Sequence, residues 1–187
     1  MTTSAIGRAA GTSVWTLDPA HTLVEFAAKH LMITTVKGRF VDVSGTIRMN
    51  ESNPAASSVR AVIKASSIDT RTDQRDAHLK SADFLEAERY PEITFDSTAV
   101  ERAGERRYRV TGNLTIHGVT KAVVLDVTDE GRTKDPWGGE RAGFSATTRI
   151  DRREFGLTWN QVLESGGVLV GNEIRITIEV EATKSAS

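Results

Sequence analysis

The sequence predicts an all-β protein: an antiparallel sheet of about eight strands closed into an extended barrel, with one or two short helices. Apolar residues alternate at period two through most of the 187-residue chain, which is the pattern of half-buried strands. The connections are mostly short and rich in Gly, Pro, Asp and Asn, and no βαβ rhythm occurs, which favours an antiparallel sheet. Closure is the general remedy for exposed edges, and the meandering order of the strands favours a barrel over an immunoglobulin-like sandwich.

The stretch Asp18 to His30 sets the pattern, with Val24, Phe26, Ala28 and His30 on one face and Leu23, Glu25, Ala27 and Lys29 on the other. Asp18-Pro19 makes a turn before it. Residues Leu31 to Gly38 form a corner or a short helical turn. A second strand spans Arg39 to Asn50, with Phe40 out of phase and a bulge expected near Val41 or Asp42. Glu51 to Pro54 turns the chain into a third strand over Ser58 to Ala65. Asp69 to Tyr90 is sparse in apolar residues and dense in charge, and it predicts a lid-like helix from Asp73 to about Ser81, with Ala77 and Leu79 or Lys80 inward. Tyr90-Pro91 ends that segment. Strands then follow over Ile93 to Ala99, Tyr108 to Ile116, Ala122 to Thr128 and Arg141 to Asp151, the middle pair joined by His117-Gly118. A long connection from Arg152 to Gly171 leads to the last strand, Asn172 to Ala182.

Composition narrows the function. A net charge of −1 supplies no field to gather nucleic acid. The chain has no cysteine, which removes disulfides, thiolate nucleophiles and thiolate zinc sites. The first eleven residues lack the apolar core of a secretory signal, and no run approaches the ~20 apolar residues of a membrane helix. These features predict a cytoplasmic protein with loose tails over 1–12 and 184–187 around one domain over 13–183.

Catalytic signals are weak. His21, His30, His78 and His117 show no i, i+4 pair, so no metal site is expected. There is no Gly-x-Ser-x-Gly elbow. Arg75, Asp76 and His78 share a short helix but point in different directions. His30 is either a satisfied core residue or a polar group facing an enclosed space. The inward rows carry small residues, Ala28, Gly45, Ala61, Ala65, Gly112, Ala142 and Ala146, which leave room for a ligand unless Phe26, Phe84, Phe95 and Phe144 swing in to fill it.

Several blocks recur in type, order and spacing. They are Trp15-x-x-Asp18-x-x-His21-Thr22-x-Val24-x-Phe26-x-x-x-His30, Lys37-Gly38-Arg39-Phe40, Ser67-Ile68-Asp69-Thr70, Arg75-Asp76-Ala77-His78-Leu79-Lys80-Ser81-x-Asp83-Phe84, Tyr90-Pro91-x-Ile93-x-Phe95, Gly112-x-Leu114-Thr115-Ile116-His117-Gly118-Val119-Thr120-Lys121, and Gly143-Phe144-x-Ala146 before Asp151-Arg152-x-x-Phe155-Gly156. In these blocks the chain resembles the YceI-like family, over roughly Val14 to Glu181. Thr22 stands where the family usually has serine, which keeps the hydroxyl.

The resemblance implies a lipocalin-like antiparallel barrel of eight strands that holds a polyisoprenoid or related amphiphile in an apolar tunnel, often as a homodimer; a Trp at the tunnel mouth would suit transient membrane contact. It implies no catalytic residue, no metal and no cofactor besides the bound lipid. The expected lining is Val24, Phe26, Ala28, His30, Phe40, Ile63, Leu79, Phe84, Phe95, Leu114, Phe144, Ala146, Phe155 and Ile176. Arg75, His78 and Arg152 are expected at the head group, with Trp137 at the mouth or packed under its own turn; Arg102, Arg106 and Arg107 read as a solvated loop. Micromolar binding needs about 8 kcal/mol net, after association and ordering consume ~4–15 kcal/mol. At ~0.8 kcal/mol per methylene, on the order of 15–28 apolar carbons must be buried, which suits a long-chain lipid. The rivals are an enzyme acting on a hydrophobic small molecule with His30 or His78 as general base, and a stress-linked dimeric barrel with a filled core.

Overall fold

The computed structural model describes residues 11–186. Its strands are β1 (Thr12–Leu17), β2 (Leu23–His30), β3 (Thr34–Phe40), β4 (Val43–Asn50), β5 (Ser58–Lys64), β6 (Ile68–Asp69), β7 (Glu92–Arg102), β8 (Arg107–Ile116), β9 (Val119–Lys134), β10 (Glu140–Asp151) and β11 (Glu173–Lys184), with one helix, α1 (Asp73–Lys80). Every pairing between strands is antiparallel. Eight strands close a ring in the order β1, β4, β5, β7, β8, β9, β10, β11 and back to β1.

The ring has the expected number of strands but a different membership. Thr12–Leu17, whose first residue falls in the expected tail, is the strand that completes it: Trp15 pairs with Ile47 of β4 on one side and Lys184 of β11 on the other. The chain then kinks through a short turn at Pro19–His21, whose Asp18 accepts a hydrogen bond from the Ala20 amide. It resumes as β2 along the lower half of β11, where Phe26 faces Ile176. β1 and β2 thus act as two halves of one stave. Gly11 precedes β1 with a positive φ of 96°, and residues 1–10 of the expected N-terminal tail lie outside the described residues.

The corner expected over Leu31 to Gly38 is a hairpin. Leu31 and Met32 both take left-handed backbone, φ 52° and 62°, a conformation that hairpin turns usually assign to Asn or Gly. The strand read over Arg39 to Asn50 is broken at Val41-Asp42, where the chain leaves β3 for β4; the phase slip at Phe40 marked a corner rather than a bulge. Bulges do occur at Thr98 and beside Gly131, where the registers of β7 with β8 and of β9 with β10 shift.

The small inward alanines divide into two groups. Ala28, Ala61 and Ala146 border an internal space. Ala65 and Ala142 are packed solid, each 1 % exposed. Gly112 is covered by the Phe95 ring, and Gly38 by the ring of Phe26, its cross-strand partner; a Cβ at either glycine would overlap the ring. Two aromatic side chains therefore lie flat on the wall instead of projecting across the lumen. Gly112→Ala should push the Phe95 ring inward and cost roughly 1–3 kcal/mol, read as a lowered denaturant midpoint at unchanged m.

Candidate functional site: an apolar tunnel closed at one end

The barrel encloses a cavity of about 630 Å³. Its wall is apolar over most of its length, with Phe26, Phe40, Ile63, Phe95, Leu114, Leu125, Ile176 and Ile178 among the side chains that form it. At the lower end the lining residues Phe84, Leu85 and Leu157 are buried, so the tunnel has a floor there. At the upper end it is lined by Glu51, Arg102 and Arg106, which are exposed, and by Asp129 and Arg132. This is the mouth.

The floor is made by the segment after α1 more than by the helix. Ala77 points to solvent and Leu79 alone of α1 reaches the lumen, whereas Phe84, Leu85 and Ala87 are buried. Short-range bonds hold this segment in place. Asp76 accepts from the Thr70 amide (2.8 Å) and hydroxyl (2.6 Å), and Arg75 donates to the Thr70 carbonyl (2.7 Å). His78 Nε2 lies 2.8 Å from Asp83, with its ring edge-on to Phe84 and Trp159. His117, in its left-handed turn, reaches Glu86 at 3.3 Å and packs against Tyr90.

Of the residues predicted to line the tunnel, Val24, Phe26, Ala28, Phe40, Ile63, Leu79, Phe84, Phe95, Leu114, Phe144, Ala146 and Ile176 do so. His30 and Phe155 do not. His30 sits at the end of β2, bridged through its backbone to Val170. Phe155 lies beyond β10 in a short helical turn that redirects its side chain, and it is fully buried below the floor. The three head-group candidates are corrected as a set. Arg75 and His78 are tied up in the floor segment, outside the lumen. Arg152 borders the lumen but is 2 % exposed, and all five of its N–H groups go to the carbonyls of Gly171, Leu157, Trp159 and Val170 and to the Asn172 amide oxygen. Its burial lowers the guanidinium pKa from the usual value. Arg152 staples the long connection that it begins. Trp137 is at the tip of the β9–β10 hairpin and 86 % exposed, not packed under its own turn.

None of the four histidines lines the cavity, which leaves a His-based catalyst without a base in the lumen. Conversely, Arg102 and Arg106, read as a solvated loop, help to form the mouth. No spacing signal marks them, since their place depends on how far β7 and β8 rise above their neighbours. Folding also joins residues remote in sequence outside the barrel: Asp18, His21 and Glu181 lie close enough to share one ion. Arg141 already bridges the two acids, donating to Asp18 (2.8 Å) and Glu181 (2.6 Å) as well as to Asp135. This cluster ties the β1–β2 kink to β10 and β11.

The YceI-like domain model matches residues 15–182. The chain belongs to the YceI-like family. Among its relatives is a UPF0312 protein of Pseudomonas putida (strain W619), 44 % identical over 137 residues, covering 73 % of this chain and 71 % of that one. Among solved structures, Burkholderia cenocepacia BcnA superposes with a TM-score of 0.79 at 25 % identity, covering 89 % of this chain and 99 % of that one. A polyisoprenoid binding domain from Saccharophagus degradans has the same fold, with a TM-score of 0.69 at 15 % identity over 91 % of this chain and 98 % of that one.

Two outcomes follow for this YceI-like chain. Arg152→Met leaves several buried carbonyls without donors and should cost about 3 kcal/mol or more, with hydrogen exchange accelerated chiefly across residues 157–172. The hydrogen bond from His21, and after it the one from Arg141, holds the Asp18 carboxyl below its ordinary value. That stabilisation is present above the unfolded pKa of ~3.9 and is lost as pH falls through the lower folded value. Asp18→Asn should therefore flatten the acid limb of a plot of denaturation midpoint against pH.

Proposed function

We propose that this protein sequesters a long-chain isoprenoid-type lipid in its barrel, as a carrier or reservoir and without chemical turnover. The observation that carries this reading is the continuous apolar void between Arg106 and Leu85. An apolar void of this size is costly to leave empty, because the side chains that line it lack packing partners on one side. Water is a poor filling, because a buried water needs two to four polar partners and this wall offers few. A hydrocarbon guest removes the cost and loses its own contact with water at the same time.

The shape narrows the guest further. From Ile93 at the floor to Arg102 at the rim, β7 runs roughly 30 Å at ~3.3 Å per residue. At a strand tilt of ~40° this is about 23 Å along the axis. One leaflet of a bilayer core is ~15 Å thick, so the tunnel has room for a long lipid chain lying extended along the axis. The solved domain from Saccharophagus degradans with this fold, described as polyisoprenoid binding, agrees with that class of guest.

Mass spectrometry of organic extracts of the purified protein should find a lipid, and delipidated protein should take up added C20 or longer prenols with micromolar affinity or better. Ala146→Trp, which places a large ring in the lumen, should lower uptake at least tenfold while circular dichroism keeps its β signature. His30→Ala and His78→Ala should retain uptake. Delipidated protein that binds no prenol, with no lipid in the extracts, would rule the proposal out.

A further inference from the structure

We infer that the guest carries an anionic head, a phosphate or carboxylate, and enters tail first so that the head rests at the mouth against Arg106 and Arg102. This rests on the tunnel reading above and adds the chemistry and direction of the guest.

The floor cannot take the head. Its cation, Arg152, has every N–H engaged by a protein oxygen, and an ionised group set among Phe84, Leu85 and Leu157 would be desolvated at a cost of several kcal/mol. Apart from Arg152, the charged lining lies almost wholly at the other end, as three arginines and the acids Glu51 and Asp129; Glu25, exposed on β2, is the other exception.

Those five groups are not equally committed. Arg132 grips Asp129 with both terminal nitrogens, at 2.7 and 3.1 Å, lies 3.8 Å from Glu51, and stacks over Phe144. Asp129 also accepts the Gly131 amide, so its charge is well matched. Arg102 donates from Nε and Nη2 to the carbonyls of Gly104 and Glu105, which fixes the guanidinium and leaves Nη1 unengaged. Arg106 makes no side-chain hydrogen bond or ion pair among the described residues. Its Nη2 stands 3.1 Å from where a Cβ of residue 131 would be, so Gly131, at φ 114°, admits this guanidinium to the rim. Glu101, Glu105 and Glu130 flank the same hairpins but do not line the lumen, and Glu130 accepts from Ser145. The lumen edge therefore offers two guanidinium groups with donors to spare and no acid free to oppose them except the solvated Glu51, 73 % exposed. Planar guanidinium donors match phosphate and carboxylate oxygens.

Three C20 probes with one tail test this: geranylgeranyl phosphate, geranylgeranoic acid and geranylgeraniol, titrated into delipidated protein. The phosphate, the acid or both should bind at least about tenfold more tightly than the alcohol at low salt, with the preference shrinking as salt rises from about 0.05 to 0.5 M. Which anion gains more identifies the head. In the R102Q/R106Q double variant, whose melting temperature checks its fold, anion and alcohol should bind alike. If neither anion binds more tightly than the alcohol to the wild type, or if the preference survives in R102Q/R106Q, the head assignment falls and the tunnel reading stands. If none of the three binds, the tunnel reading falls and takes this inference with it.

Discussion

The structure depends on one backbone constraint, the pairing of β1 with β4 on one side and β11 on the other. Trp15 and Thr16 take part in both ladders. Without them the sheet would present two long edges, and its apolar face would have no inside. Around this seam Trp15, Leu17, Met49, Ala142 and Ala182 form their own small core at the upper end, separate from the larger cluster around Phe155 and Ile116 below. The seam is packed as well as hydrogen-bonded. The kink that follows, held by Asp18, His21, Arg141 and Glu181, lets the same stave serve β11 again lower down while turning β3 and β6 toward the floor.

Closure alone does not make a hollow. An eight-stranded barrel can equally be filled by its own side chains, and here the difference lies in where the aromatic rings rest. Phe26 and Phe95 lie against Gly38 and Gly112, positions where any side chain would displace them. Glycine, which weakens a strand, here widens the lumen by letting a ring replace the missing side chain on the wall. Ala28, Ala61 and Ala146 widen it more directly.

The two ends are built by different means. Below, buried arginine and a chain of short polar contacts seal the barrel with irregular backbone whose carbonyls would otherwise lack partners in the interior. Arg152 satisfies most of that demand with a single side chain. Above, long hairpins leave charged side chains at an open rim. A tunnel with a dry floor and a charged lip has a direction, and an amphiphile has one too.

Alternation in the sequence was enough to recover the class of fold, the barrel and most of the tunnel wall. Residues such as Val24, Phe26, Leu114 and Ile176 face inward by a local rule, since successive side chains of a strand point to opposite sides. His30 escaped that rule because it ends its strand, where the pleat no longer aims the side chain, and Phe155 lies outside the rule in a helical turn beyond β10. The turn at Leu31-Met32 was illegible for a similar reason: nothing in those side chains favours left-handed backbone, and the strands on either side impose it. Arg152 shows the limit most clearly, because an arginine at the start of a long connection reads as a ligand for a head group until the carbonyls that surround it are brought together. Which charges meet the lumen, and whether the phenylalanines fill or line it, depends on contacts between strands far apart in the chain. The sequence by itself decided which side of each strand is apolar; only the closed sheet decided what that side encloses.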